Sequence, residues 1–158
     1  MIIRVGLGYD VHSLAEGETL WLGGILVPHS KGTVAHSDGD VLIHAICDAL
    51  LGAAKLRDIG YHFPDTSSDF KNVDSKILLK KCQELIAEKG YEIGNIDATI
   101  AAQQPKLKDF IPLMEAKMAE VLGIDEDCVS VKATTTERLG FEGRQEGISA
   151  YASVLIQK

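Results

Sequence analysis

Three side chains in the first third of the chain could together bind a metal ion. Asp10 and His12 lie two residues apart, and His44 follows the small polar residues of the stretch 36–40. One carboxylate and two imidazoles form a nitrogen and oxygen ligand set, and three such ligands with a free fourth position are the usual form of catalytic zinc. Each of the three taken alone is more often an ordinary surface or capping residue. The residues by themselves therefore leave both a metal site and a set of unrelated polar side chains open.

A strand must position the first two of these residues. Residues 2–12 alternate between apolar side chains and a second set formed by Arg4, Gly6, Gly8, Asp10 and His12. Successive strand residues point to opposite faces, so Asp10 and His12 project from the same side at the end of this strand. We expect the two glycines to leave that side open.

A helix must position His44. The apolar pattern predicts a helix over 41–56, with Asp40 or a neighbouring polar residue as its cap and Gly39 in the preceding turn. His44 lies opposite the main apolar stripe, yet the helix is apolar nearly all round, and such a helix is usually covered on both sides. We therefore expect His44 to lie inside the protein near a helix N-terminus, with a partner. The stripe consists of Leu42, Ala45, Ile46, Ala49 and Ala53.

The remaining pattern predicts strands, helices and loops in mixed order. A hairpin is predicted over 19–27 around Gly23-Gly24, a loop over 28–34 and an irregular segment over 57–66. Helices are predicted from the Asp74 cap to residue 89 and over 111–122, and strands over 96–102, 128–134 and 147–156. The prediction is one α/β (α+β-like) domain over 1–158, with one mixed β-sheet, helices packed on one face and a small N-terminal hairpin.

Composition and charge narrow the function classes. The chain is 46% hydrophobic and 25% charged, which is typical of a globular protein, and its net charge of -7 argues against nucleic acid as a partner. No apolar run approaches the roughly 20 residues that span a membrane, and no targeting segment is visible, so we expect a cytoplasmic protein. The three cysteines show no C-x-x-C spacing and are expected to be reduced thiols.

The sequence does not match either of two common phosphate-binding motifs. The stretch Gly6-Leu7-Gly8 begins like a dinucleotide fingerprint, but Val11 stands where the third glycine belongs, and no P-loop pattern occurs. If phosphates bind, other groups must hold them. The candidates are Lys106, Lys108, Arg144 and the threonines at 134–136.

Several separated blocks resemble one family over essentially the whole chain. They are GYDVH at 8–12, AHSDGD at 35–40 with His44, DIG at 58–60, FPDT at 63–66, and KATTTE at 132–137 with GF at 140–141. In this order the blocks resemble the 2-C-methyl-D-erythritol 2,4-cyclodiphosphate synthases of the non-mevalonate isoprenoid route. Together they are far more specific than any one of them.

The resemblance implies an intramolecular phosphoryl transfer. The 2-phosphate of a cytidine diphosphate ester of methylerythritol attacks the β-phosphorus, CMP leaves, and a cyclic diphosphate forms. Asp10, His12 and His44 would hold zinc as a Lewis acid and template. Glu137 would be the protein ligand of a magnesium or manganese ion on the α- and β-phosphates.

The resemblance also implies substrate contacts. His36 and Thr135 would steady the transferring phosphoryl group as catalytic residues. The methylerythritol end would contact Ser37, Asp58, Gly60, Phe63 and Asp65. The cytidine and its phosphate would contact Ala102, Lys106, Leu107, Lys108 and Thr134, and Phe141 and Arg144 complete the implied site.

Family members are homotrimers with sites between neighbouring subunits, so the resemblance implies the same assembly here. Some relatives bind an isoprenoid diphosphate on the threefold axis, with an acidic residue near the position of Tyr151. This chain departs from that pattern, because it has no acid at that position.

Two other function classes remain open. A zinc hydrolase acting on a phosphoanhydride would use the same three ligands, with metal-bound water as the nucleophile. A non-catalytic zinc or nucleotide-binding module is the other class, although a structural zinc site usually has four protein ligands.

Overall fold

Seven strands are present in the computed structural model, which describes all 158 residues. They are β1 (Ile3–Glu16), β2 (Trp21–Leu22), β3 (Ile25–Leu26), β4 (Lys31–Thr33), β5 (Glu92–Ala101), β6 (Val129–Thr134) and β7 (Gly147–Gln157). β2 and β3 form the predicted hairpin, and the other five form one sheet in the order β4-β1-β7-β5-β6. Only β5 and β6 pair in parallel, so the predicted mixed sheet is confirmed.

Five helices accompany the sheet. They are α1 (Val41–Ala53), α2 (Ile59–His62), α3 (Ser75–Glu88), α4 (Ile111–Leu122) and α5 (Gly140–Gly143), with short 3-10 turns at Ser68–Phe70 and Glu126–Cys128. The prediction for α4 is confirmed at both ends, and Asp74 caps α3 as expected by accepting the Lys76 N–H. No helix is both long enough and apolar enough to cross a membrane.

Several boundaries differ from the prediction. β1 continues to Glu16 rather than ending at residue 12, and β5 begins at Glu92 rather than at residue 96. α1 ends at Ala53 rather than at residue 56, because Lys55 and Arg57 take left-handed backbone conformations with φ of 57° and 70°. Residues 31–33 form β4, although a loop was predicted for 28–34. The short strand pairs with the end of β1, and this tertiary pairing has no local apolar signal.

α1 lies at the centre of the fold. Eleven of its 13 residues are buried, which confirms that it is covered on both sides. It packs against β1 and β7 on one side and against α3 on the other, within a single cluster of 35 buried hydrophobic residues. Cys47 and Cys82 are buried free thiols, and Cys128 is a partly buried free thiol.

The two faces of β1 have different surroundings. The expectation that Gly6 and Gly8 leave their face open is wrong, because the backbone of α1 occupies that space. The opposite face carries apolar side chains that remain exposed in the single chain: Ile3, Val5, Leu7, Tyr9 and Val11 on β1 and Tyr151 on β7. The helices thus cover one face of the sheet, and an apolar strand surface lies on the other.

Candidate active site

Asp10, His12 and His44 converge at the junction of β1 and α1. Asp10 Oδ2 lies 3.0 Å from His12 Nε2 and 3.1 Å from His44 Nδ1, and the two imidazole nitrogens are 3.2 Å apart. The structure therefore brings the predicted three-residue set together. Each residue offers one ligand atom, and these atoms all lie within 4.8 Å of one another.

The electrostatics of the cluster favour an ionised carboxylate beside a cation. Burial opposes ionisation of Asp10, but hydrogen bonds and charge from the two histidines hold its pKa at about 2. Burial also opposes protonation of His44, yet the hydrogen bond and charge of Asp10 outweigh it and raise the pKa of His44 above its ordinary value. In the metal-free protein, Asp10 thus attracts positive charge to the position between the two rings.

The start of α1 is held by a buried carboxylate. Asp40 is fully buried and accepts the backbone N–H groups of Gly23, Gly24 and Ile43 at 2.7–3.0 Å. It therefore ties the turn of the β2–β3 hairpin to the first turn of α1. Burial raises the pKa of Asp40, and the three N–H donors oppose that shift. His44 follows in this fixed first turn, which orients its ring.

The donor set fits a divalent cation. Two imidazole nitrogens and one carboxylate oxygen suit zinc, and the partly exposed Asp10 and His12 leave a side through which a further ligand can approach. No fourth protein ligand belongs to the cluster. The arrangement is that of an open site rather than a closed structural one.

A cavity of about 450 Å³ adjoins the cluster. Among the residues predicted for the methylerythritol end, Ser37, Gly60, Phe63 and Asp65 line it, and so does His36. Asp58 does not line it, since its carboxylate caps α2 by accepting the Tyr61 N–H. The wall contains three carboxylates and no lysine or arginine.

His36 links the cavity wall to the segment that follows α2. Its Nε2 lies 3.1 Å from the carbonyl oxygen of Ser67, and its own carbonyl accepts the Asn72 N–H. Phe63 and Phe70 stack edge to face with ring centroids 5.5 Å apart. These contacts hold residues 63–72 against the cavity.

A second cavity of about 400 Å³ lies beyond the ends of β5 and β6. It brings together all the residues predicted for the nucleotide, and Thr135 with them: Ala102, Lys106, Leu107, Lys108, Thr134 and Thr135. Glu137 comes two residues after Thr135 in the chain; it is exposed and has a left-handed φ of 55°.

The last two predicted residues lie outside both cavities. Phe141 is partly buried and packs near Gly147, and the exposed guanidinium of Arg144 pairs with Glu146. The single chain therefore does not bring either side chain into the two cavities.

The two cavities are separate but share one edge of the sheet. Asp10, Ala150, Ile100 and Ala133 pair across β1, β7, β5 and β6 in one row, and β1, β5 and β6 point the same way. Three strand spacings separate β1 from β6, about 14 Å in all. No residue lines both cavities. Within one chain, the cluster of Asp10, His12 and His44 is therefore far from the second cavity at the end of β6.

Sequence reasoning did not assign two polar residues near His44 to the site, one that lines the first cavity and one buried behind the His44 ring. Asp48 lies one turn after His44 and accepts the Ile59 N–H at 2.8 Å, which fixes the start of α2 beside the cavity. Ser75 is fully buried and contacts His44 Nε2 at 2.9 Å. Asp48 could have been found from its helical spacing to His44. Ser75 had no signal, because it comes from a different helix.

Comparisons with known proteins by sequence and by structure all match this chain to the same family. Residues 3–157 match the YgbB family. A 2-C-methyl-D-erythritol 2,4-cyclodiphosphate synthase from Bacteroides thetaiotaomicron is 69% identical over 100% of this chain and 99% of its own length. The bifunctional IspDF from Campylobacter jejuni superposes with a TM-score of 0.95 at 48% identity, covering 98% of this chain and 42% of that longer chain. The CDP complex of IspF from Plasmodium falciparum has a TM-score of 0.85 at 38% identity over 98% of this chain and 95% of that chain.

Proposed function

The chain belongs to the YgbB family of 2-C-methyl-D-erythritol 2,4-cyclodiphosphate synthases, and we propose that it works with zinc on Asp10, His12 and His44 and with magnesium or manganese on Glu137. It is a cyclising lyase of non-mevalonate isoprenoid biosynthesis. Its reaction converts 4-diphosphocytidyl-2-C-methyl-D-erythritol 2-phosphate into 2-C-methyl-D-erythritol 2,4-cyclodiphosphate and CMP.

One observation carries the metal assignment. The cavity beside Asp10 contains three carboxylates and no lysine or arginine, although the substrate must bring its phosphates there. Anionic phosphates bind beside carboxylates only where a cation offsets the charge. The cluster of Asp10, His12 and His44 offers the ligands for that cation. When bound, zinc supplies Lewis-acid polarisation and orientation of the phosphate.

The residues around the first cavity then orient the methylerythritol end. Ser37 and Asp65 offer polar contacts to its hydroxyl groups, Gly60 allows close approach to the backbone, and Phe63 covers an apolar part of the sugar chain. His36 steadies the phosphoryl group through its ring. Asp58 caps α2, whose residues Ile59 and Gly60 line the cavity, and from that position its carboxylate contacts the methylerythritol end.

The second cavity suits the cytidine and its phosphate. Lys106 and Lys108 supply the positive charge that the first cavity lacks, and Leu107 provides a buried apolar wall. Ala102 and Thr134 present backbone groups at the ends of β5 and β6. The Thr135 side chain steadies the transferring phosphoryl group. A relative forms a CDP complex, which supports this placement. Phe141 and Arg144 complete the site at its rim.

Catalysis requires little covalent help from the protein. Phosphoryl transfer depends mainly on positioning and charge stabilisation, and both reacting phosphates belong to one substrate. The chain's own task is therefore to fold the substrate and exclude water that would hydrolyse the β-phosphorus. The Phe63–Phe70 contact over the 63–72 segment supports that second role.

Assembly into a homotrimer would bring the two parts of the site together. Neighbouring phosphates of one substrate must contact both the zinc cluster and Glu137, but β1 and β6 are about 14 Å apart in one chain. In a cyclic assembly, the second cavity of one subunit can meet the first cavity of its neighbour. The exposed apolar face of β1 and β7 would then be buried between subunits, since a face of this kind marks an interaction surface.

Product analysis tests the proposed function. Purified protein with zinc and magnesium should convert the substrate into the cyclic diphosphate and CMP in equal amounts. Linear hydrolysis products would instead indicate a zinc hydrolase. The absence of turnover, with zinc and CMP bound, would indicate a binding module.

A further inference from the structure

We propose that Ser75 and Asp38 are positioning residues that determine which ring nitrogen of His44 faces the metal cluster. The inference rests on the proposed metal-binding role of His44. It concerns a chain of hydrogen bonds that links the start of α3, through the imidazole, to the cluster on β1.

The geometry connects three side chains in series. His44 Nδ1 faces Asp10 Oδ2 at 3.1 Å, and on the other side of the ring His44 Nε2 lies 2.9 Å from Ser75 Oγ. The Ser75 hydroxyl in turn donates to Asp38 Oδ1. Ser75 is fully buried and His44 is 6% exposed, so water does not compete for these contacts.

Asp38 is held by several donors. Besides the Ser75 hydroxyl, it accepts the Ser75 N–H at 2.9 Å and the Asp40 N–H at 3.1 Å. These bonds fix the carboxylate against both the first turn of α3 and the turn before α1. A carboxylate without a proton can only accept hydrogen bonds. The Ser75 hydroxyl proton is therefore committed to Asp38.

That commitment determines the tautomer of His44. A serine has one hydroxyl proton, so the oxygen of Ser75 can only accept a hydrogen bond from the ring. Nε2 of His44 must then carry a proton, so Nδ1 is the ring nitrogen that is left for a metal ion. Nδ1 faces Asp10 and His12, and a proton held there by Asp10 is the one that a metal ion would replace.

Ser37 agrees with this assignment. Its Oγ lies 3.2 Å from His44 Nε2 and accepts the Gly39 N–H at the same distance. Acting as a second acceptor for the Nε2 proton, Ser37 keeps its own hydroxyl proton free for the cavity that it lines. Metal-bound histidines usually donate their other N–H in this way, and loss of such a partner typically weakens metal affinity about 10–100-fold.

The experiment reads the tautomer and the metal affinity separately. Metal-free protein labelled with nitrogen-15 histidine is studied by solid-state NMR at about pH 8, which shows for each ring nitrogen whether it carries a proton. The His44 signals are identified by their loss in His44→Gln. We expect a proton on Nε2 in the unchanged chain. Asp38→Asn can donate to Ser75 and release its hydroxyl, so it should shift His44 toward the Nδ1–H tautomer.

Zinc affinity is measured by competition with a chelator for Ser75→Ala and Asp38→Asn. Both should bind zinc about 10–100-fold more weakly than the unchanged chain. Ser149→Ala is the matched control, because it removes another buried bond between a serine and a carboxylate, to Glu142, outside the cluster. It should leave zinc affinity and the His44 signals unchanged. Circular dichroism confirms that each variant is folded.

The outcomes separate this inference from the metal assignment. If the unchanged chain binds no zinc, the proposed metal role of His44 fails. If it binds zinc but metal-free His44 carries no proton on Nε2, or if Ser75→Ala and Asp38→Asn match Ser149→Ala in affinity, the positioning role of Ser75 and Asp38 is overturned.

Discussion

Gly8 of β1 and Ala45 of α1 are so close that a Cβ on Gly8 would lie 1.8 Å from the carbonyl oxygen of Ala45. Gly6 has the same relationship to Ala49, at 1.9 Å. The helix backbone therefore rests directly on the strand backbone. Because Asp10 lies two residues after Gly8 and His44 directly precedes Ala45, this approach brings the proposed metal ligands of the two elements together.

Gly8→Ala should therefore destabilise the protein. The added methyl group meets backbone atoms that cannot rotate away, so we expect a loss of about 3 kcal/mol or more, at the upper end for overpacking. Denaturant unfolding measures the change. Gly52→Ala on α1 is the control, since nothing lies within 4 Å of its Cβ position, and it should stabilise by about 0.5–1 kcal/mol. Equal effects of both changes would contradict the close packing of α1 on β1.

His12→Ala and His44→Ala should each abolish stoichiometric zinc binding. Each removes one of three ligands, and the cluster has no spare residue to replace it. Metal analysis of the purified proteins should show one zinc ion per chain before substitution and close to none after it. His29→Ala, a histidine outside the cluster, serves as the control. Full zinc retention in either ligand variant would refute the assignment.

On acidification, the zinc affinity should begin to fall at a higher pH than it would if the ligands were imidazoles with the ordinary pKa. Burial disfavours protonated His44, but Asp10 outweighs it and raises the His44 pKa. The proton therefore competes with zinc for Nδ1 from above about pH 6.5, the ordinary histidine value. Chelator competition between about pH 8 and pH 5 measures the onset. A constant affinity down to about pH 6 would show that protonation of His44 does not compete with zinc.

Glu137→Gln should separate the two cations. The variant is expected to keep its zinc, because Glu137 lies outside the Asp10 cluster. It should need at least roughly tenfold more magnesium or manganese for half-maximal activity, equivalent to about 1.4 kcal/mol. Glu126→Gln, at an exposed position on a 3-10 turn, should change neither quantity. A collapse of zinc content in Glu137→Gln would mean that Glu137 serves the other metal.

Mixed assemblies of two variants test whether each site of the proposed trimer is shared between subunits. His12→Ala and Thr135→Ala alter the first and the second cavity, and each should inactivate its own assemblies. After mixing through reversible unfolding, a site is intact only where the two unaltered halves meet. At equal mixing this holds for roughly a quarter of sites, as expected for a cyclic interface of two different halves. No recovery in well-formed mixed trimers would place both halves in one chain.

The sequence was sufficient where local chain chemistry acts alone. α4 begins and ends where predicted, with Pro112 in its first turn and Gly123 after its last, where φ is a left-handed 65°. The alternation around Asp10 and His12 placed both on one face of β1 because the period of a strand is two residues. The chemical types of the proposed metal ligands were likewise apparent, since a carboxylate and two imidazoles suit zinc in any fold.

Only the tertiary structure decided which distant groups meet. β4 exists because it pairs with the end of β1, and the space beside Gly6 and Gly8 is filled because α1 lies on it. Ser75 reaches His44 across 31 residues of chain. The predicted site residues divide between two cavities because two strands of the sheet lie between β1 and β6. Such contacts depend on how helices and strands pack together, and neither spacing nor local propensity determines that packing.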